Sequence, residues 1–163
     1  MKGASFRETF IDRIDPDSGR TVRQLTSSPG NHHHLYFTSN SFNKNNDTVL
    51  FISDRSNGHP NLFKLNLMTG ETVQLTDNRD GYLLSYVYYD GNPYRGLGKA
   101  SPSFEPSTGQ LLYIQGIEVR LLHVETLEER VIYTLPEEVM TGFTHLSSDG
   151  RYASVPYITA EAF

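Results

Sequence analysis

Three segments of the chain carry the same order of residues: an apolar residue, a polar turn, then a β-rich run. They are SNSFNKNNDTVLFIS (39–53), SPSFEPSTGQLLYIQ (101–115) and FTHLSSDGRYASVPY (143–157). Asn45-Asn46-Asp47, Ser107-Thr108-Gly109 and Ser148-Asp149-Gly150 suit tight hairpins that need positive φ. After the first of these strands comes SDRSNGHPNLFKLNLMTGETVQLT, with turns at Asn57-Gly58 and Thr69-Gly70. The second unit repeats the pattern as VRLLHVETLEERVIYTL. Each unit therefore reads as four antiparallel strands joined by short turns. Residues 121–131 could pass as a short helix, but their place in the repeat favours strands.

The spacing of the repeat points to blades of a β-propeller. Phe104 to Leu146 is a step of 42 residues, a blade period. Phe42 to Phe104 is a step of 62, and the excess of about 20 residues falls on DGYLLSYVYYDGNPYRGLG. The expected organisation is a single all-β domain: a closing strand at 18–26, blade 1 at 36–76, an inserted loop at 80–98, blade 2 at 100–135 and the start of a third blade at 141–163. Residues 18–26 copy residues 69–76 and are read as a lone last strand. About three blades do not close a ring, since propellers use about 4–8. The expectation is thus part of a larger propeller, with strand edges open to self-association.

Composition narrows the function. The net charge of -5 argues against nucleic acid and anionic membrane surfaces as main partners. With no cysteine there is no disulfide framework and no thiolate chemistry. No apolar run approaches the length of a membrane span. The N-terminus lacks the apolar core of a signal peptide, which favours the cytoplasm if that terminus is native and leaves the periplasm open if it is not.

The stretch NHHHLYFTSNSF (31–42) raises a metal question, which strand geometry answers in part. Neighbouring residues of a strand point to opposite faces, so three successive histidines cannot share one ion; at most His32 and His34 lie on one side. The alternatives are a polar loop leading to an inner strand, or His33 or His34 facing a central cleft. Asp54-Arg55 reads first as a pair organising its turn and second as a carboxylate clamp, since Arg suits a bidentate carboxylate. In the inserted loop Tyr82, Tyr86, Tyr88, Tyr89 and Tyr94 could stack on sugar rings and Arg95 could pair with a uronate; the other reading is a loop packed over the blade top. His145 aligns with Ser41 and Ser103 near the expected channel. His59 and His123 read as structural or surface residues. No Gly-rich phosphate loop and no Gly-x-Ser-x-Gly elbow occurs.

The blade motif SDRSNGHPNLFKLNLMTGETVQLT resembles those of TolB-type and prolyl-oligopeptidase-like propellers. The order DSGRTVRQLT, HHLYFTSNSF, VLFISDRSNGHPNLFKLNLMTGETVQLT is similar to the N-terminal part of oligogalacturonate lyase, polysaccharide lyase family 22. That resemblance, best over 18–76, matches His33, Tyr36, Phe37 and Phe42 to family positions. It implies a seven-bladed propeller that cleaves short pectin-derived oligogalacturonides by β-elimination. A histidine base would remove the proton alpha to the uronate carboxylate, and cationic groups would stabilise the intermediate. It also implies manganese or another divalent metal, with ligands and catalytic base in later blades, so this chain alone is expected to be inactive. The candidates for substrate contact are His33, His34, Tyr36, Arg55, Tyr94, Arg95 and His145. The rival readings are a non-catalytic TolB-type propeller that binds a protein, and the propeller of a prolyl-oligopeptidase-like peptidase.

Overall fold

The structure, a computed structural model, describes residues 1–162. Strands β1 (Ser5–Arg7), β2 (Ile11–Ile14), β3 (Thr21–Gln24), β4 (His32–His34), β5 (Thr48–Ser53), β6 (Asn61–Asn66) and β7 (Glu71–Gln74) come first. Five of them form one sheet in the order β1-β7-β6-β5-β4, antiparallel throughout. The strand TVLFIS is buried along its whole length because β5 lies between β6 and β4 and is covered on both faces. Its turns hold by side-chain capping. Asn43 Oδ1 accepts from the backbone N–H of Asp47 and Thr48, each at 3.1 Å, and Asn46 takes a positive φ of 56°. At the next-but-one turn Asn66 Oδ1 accepts from Met68 and Thr69 N–H, each at 2.9 Å.

The second sheet is a four-stranded meander of β8 (Ser103–Glu105), β9 (Gln110–Gln115), β10 (Glu118–His123) and β11 (Glu129–Thr134). His123 Nδ1 caps the last turn, accepting from Glu125 and Thr126 N–H at 3.3 Å. Beyond it β12 (Val139–Thr141) pairs with β15 (Tyr157–Thr159), and β13 (His145–Leu146) pairs with β14 (Ala153–Ser154). The architecture is all-β, with a single short 3-10 turn at Ala160–Ala162 among the described residues. No helix there is long and apolar enough to cross a membrane.

Several local outcomes differ from the sequence reading. The histidine triplet does not precede the inner strand; it is that strand. His32, His33 and His34 pair with Ser53, Ile52 and Phe51. The run after them leaves the sheet, with Ser39 N–H donating to Tyr36 carbonyl at 2.8 Å. The physical reason is Ser41, whose buried hydroxyl accepts from Leu35 N–H at 3.2 Å and closes a loop where a strand would need a partner. The segment 18–26 holds β3, which is not alone: β2 pairs with it across Asp15–Gly19. The outer edge of the first sheet is not open either, because β1 covers β7. Self-association through that edge has no support here.

Two clusters set where the loops go. Buried Asn61 Oδ1 accepts from Thr76 Oγ1 at 3.0 Å and Asn78 N–H at 2.6 Å, while Asn78 Nδ2 donates to Pro60 and Asp80 carbonyls. This network pins the start of the inserted loop. The loop then folds on itself: Leu83 N–H donates to Leu97 carbonyl at 3.0 Å and Leu84 N–H to Asn92 carbonyl at 2.9 Å. Leu97 is fully buried in a core shared by both sheets, with Leu35, Leu50, Ile52 and Leu62 on one side and Leu111, Tyr113 and Leu122 on the other.

Candidate functional site

An open cleft of about 400 Å³ lies where the loop after β4 meets the inserted loop. His33, His34, Tyr36 and Phe37 form one wall, Tyr88 and Lys99 the other, with Leu35 at the base. The wall from β4 is carried by the sheet, and the loop 35–41 is tied to the second sheet by Phe104 N–H donating to Ser39 Oγ at 3.1 Å. Tyr36 stands at the centre of an aromatic group. Its ring centroid lies 4.3 Å from Phe37, 4.6 Å from Phe143 and 6.4 Å from Tyr88. Phe37 is largely exposed, so a flat apolar face is open to solvent.

Hydrogen-bond logic assigns the histidine tautomers. A carbonyl can only accept, so the ring nitrogen facing one must carry the proton. His33 Nδ1 faces the His34 carbonyl at 3.1 Å and donates; its Nε2 therefore accepts from the Tyr82 hydroxyl at 2.8 Å. His32 Nε2 donates to Ser28 carbonyl at 3.0 Å, and its Nδ1 accepts from Ser53 Oγ at 2.8 Å. His34 Nδ1 donates to Leu35 carbonyl, which leaves Nε2 of this exposed residue as an acceptor at the cleft. Burial holds His33 below the ordinary histidine pKa; the nearby Lys99 charge acts the same way, and the bond to the His34 carbonyl opposes both. Burial, with the charges of Asp54 and Asp90, pushes the Tyr82 hydroxyl up to about 12.

Lys99 is the residue that the sequence reading passed over. Its ammonium sits 4.5 Å from the Tyr88 ring centre and 5.2 Å from that of Tyr82. A single lysine in GLGKASPSF carries no motif, so nothing in the sequence marked it. The inserted loop brings its rings to Lys99 through Ser85, whose Oγ accepts from Tyr88 N–H at 2.9 Å.

Of the sequence candidates, His33, His34 and Tyr36 come together in the cleft. Arg55 does not join them. Its side chain is 8% exposed and paired with Glu8, whose side chain is 0% exposed. It also donates to Ser28 Oγ and lies 4.1 Å over the Phe6 ring. Asp54 does not pair with Arg55: it accepts from Asn31 N–H at 2.8 Å and Asn31 Nδ2 at 2.7 Å. Arg95 lines a separate recess with Asp80, Asn92 and Pro93, and Tyr94 a third with Ile117, Glu137 and Glu138. His145 is exposed on β13 and is not part of the cleft wall.

The donor set does not fit a metal. Among the described residues no three His, Cys, Asp or Glu side chains stand together as a metal-binding group. In the triplet, His32 and His33 spend both nitrogens on protein partners.

The antiparallel sheets and their connections define a TolB-like all-β fold: a putative TolB from Agrobacterium tumefaciens superposes with TM-score 0.55 at 12% identity, over 94% of this chain and 51% of that one. Two oligogalacturonate lyase structures match more fully. One, from Vibrio parahaemolyticus, is 25% identical with TM-score 0.82 and is covered over 39% of its length by 100% of this chain. The other, in complex with manganese, is 24% identical with TM-score 0.81, and 99% of this chain covers 39% of it. The resemblance read from residues 18–76 thus has structural neighbours bearing that name. No protein-family model and no curated protein matches the sequence.

Proposed function

We propose that this chain forms one wall of the substrate cleft of an oligogalacturonate lyase-like propeller. On this reading the two meander sheets are blades of a seven-bladed ring, and the ligand is a short oligogalacturonide. The carrying observation is the cleft itself: an open aromatic face at Tyr36 and Phe37 beside a cation and a histidine acceptor. Sugar rings offer C–H faces to aromatic surfaces and hydroxyls to acceptors, and uronates add a carboxylate for a cation. The structural match to the Vibrio parahaemolyticus lyase supports the same substrate class.

The chemical step is assigned to groups outside this cleft wall. His33 is not free to act as a base, because Nε2 already accepts from Tyr82. The described residues of this chain do not fit manganese. The test is to incubate the purified chain with digalacturonate and manganese, following bound ligand by calorimetry and unsaturated product by ultraviolet absorbance. Binding without product is expected. Accumulating product would place the base in this chain and overturn the reading; absence of binding would overturn it as well.

A further inference from the structure

Among the described residues no carboxylate lies within ion-pair distance of the Lys99 ammonium, and its partners there are the faces of Tyr82 and Tyr88. By contrast Lys2 and Lys64 each find a glutamate. The residue is half-buried in a chain whose net charge is negative, so a local positive spot is maintained against the overall field.

The backbone on either side of Lys99 is held by three hydrogen bonds. Gly98 N–H donates to Ile114 carbonyl at 2.9 Å, and Ser101 Oγ donates to Gly98 carbonyl at 2.9 Å. The same Ser101 oxygen accepts from Ile114 N–H at 3.0 Å. Any Cβ on residue 98 would stand 2.5 Å from that oxygen, so the turn requires glycine. Buried Ala100 follows Lys99. A turn nailed to β9 in this way sets the ammonium in place before any ligand arrives, which lowers the ordering cost of binding. Lys99 lines the same cleft as Tyr36, Phe37 and His34.

We propose that Lys99 is the carboxylate anchor of the cleft: it takes the carboxylate of one hexuronate residue, while that sugar's face lies on Tyr36 and Phe37. The assignment rests on the acidic-sugar reading above and deepens it, since it makes charge, and not the sugar ring, the source of selectivity. A neutral hexose fits the aromatic face equally well but leaves the ammonium unpaired.

The experiment compares trigalacturonate with its fully methyl-esterified form, which keeps the rings and removes the charge. Binding of each to the whole chain is measured by calorimetry, for the wild type, Lys99→Met and Lys99→Arg. Thermal melts confirm that each variant folds. The acid is expected to bind wild type at least about tenfold tighter than the ester, as a charge-assisted pair would give. Lys99→Met should lower acid affinity to the level of the ester and leave the ester unchanged, and Lys99→Arg should restore the preference. If Lys99→Met keeps the wild-type preference, the anchor lies elsewhere and the proposal falls, while the acidic-sugar reading stands. If acid and ester bind wild type equally, the proposal falls too. Product formation in the lyase assay would overturn the functional reading without touching a Lys99-dependent preference.

Discussion

His33 spends both ring nitrogens on the protein itself, one on its neighbour's carbonyl and one on Tyr82. Protonation would turn its accepting nitrogen into a donor, so the Tyr82 hydroxyl would have to turn its proton away and accept, and a charge would be left half-buried beside Lys99. The His33 pKa is held down by burial, so the unfolded chain takes up a proton near pH 6.5 and the folded chain only at lower pH. Below the ordinary value the unfolded state binds more protons. The stability that His33 contributes is therefore complete above about pH 6.5 and is lost as pH falls from there. Glu8, Asp54 and Glu129 also have lowered pKa values, but their losses set in as pH falls through the ordinary carboxylate range, well below that of histidine, so the windows separate. A lower melting temperature at pH 5.5 than at pH 7.5 is expected, with His33→Gln flattening the difference. An unchanged pH dependence in that variant would clear His33. At this scale the sequence marked His33, His34 and Tyr36 by their types and order. It could not separate Arg55 from Lys99. Arg55 is spent because Glu8, 47 residues away, folds onto it, and Lys99 is available because no acid among the described residues does.

Strand β1 ends on the β6–β7 turn, where Glu8 N–H donates to Gly70 carbonyl at 2.8 Å. Gly70 has a φ of +74°, and a Cβ there would stand 2.4 Å from the Glu8 carbonyl oxygen. Gly70→Ala thus meets both a disfavoured backbone region and a clash. We expect a loss of about 1–3 kcal/mol, the range for strained backbone, read as a lower urea midpoint. A midpoint within error of wild type would show that β1 yields easily. The Thr69-Gly70 turn was readable from the sequence because its residue types demand it. That β1 packs against that turn was not, since SFR is too short to carry a period. Likewise β4 was misplaced by a few residues. LYF is the better strand former by residue type, yet HHH pairs, because Ser41 Oγ takes the Leu35 N–H and closes the following run into a loop.

The two meander sheets share one core, in which Leu111 of the second sheet is fully buried beside Leu35, Leu50 and Ile52 of the first. Leu111→Ala is expected to cost about 2–5 kcal/mol through lost contacts and a residual cavity. The sharper expectation is cooperative: amide hydrogen-exchange protection should fall together in β5 and β9, because a common core makes the sheets one unit. Protection lost in β9 alone would show two independent units. The N-terminal segment strengthens the coupling, since β1 pairs with β7 while Lys2 reaches Glu129 of β11 at 2.7 Å.

Turn residues at a regular spacing, and apolar runs between them, were enough to establish all-β antiparallel meanders, because turn chemistry and alternation are local properties. What depended on folding was which polar groups find partners. Arg55 is neutralised, His33 is committed to Tyr82, and Lys99 is left charged between two rings. Each of these outcomes joins residues far apart in the chain, and no local pattern records a distance that the core alone creates.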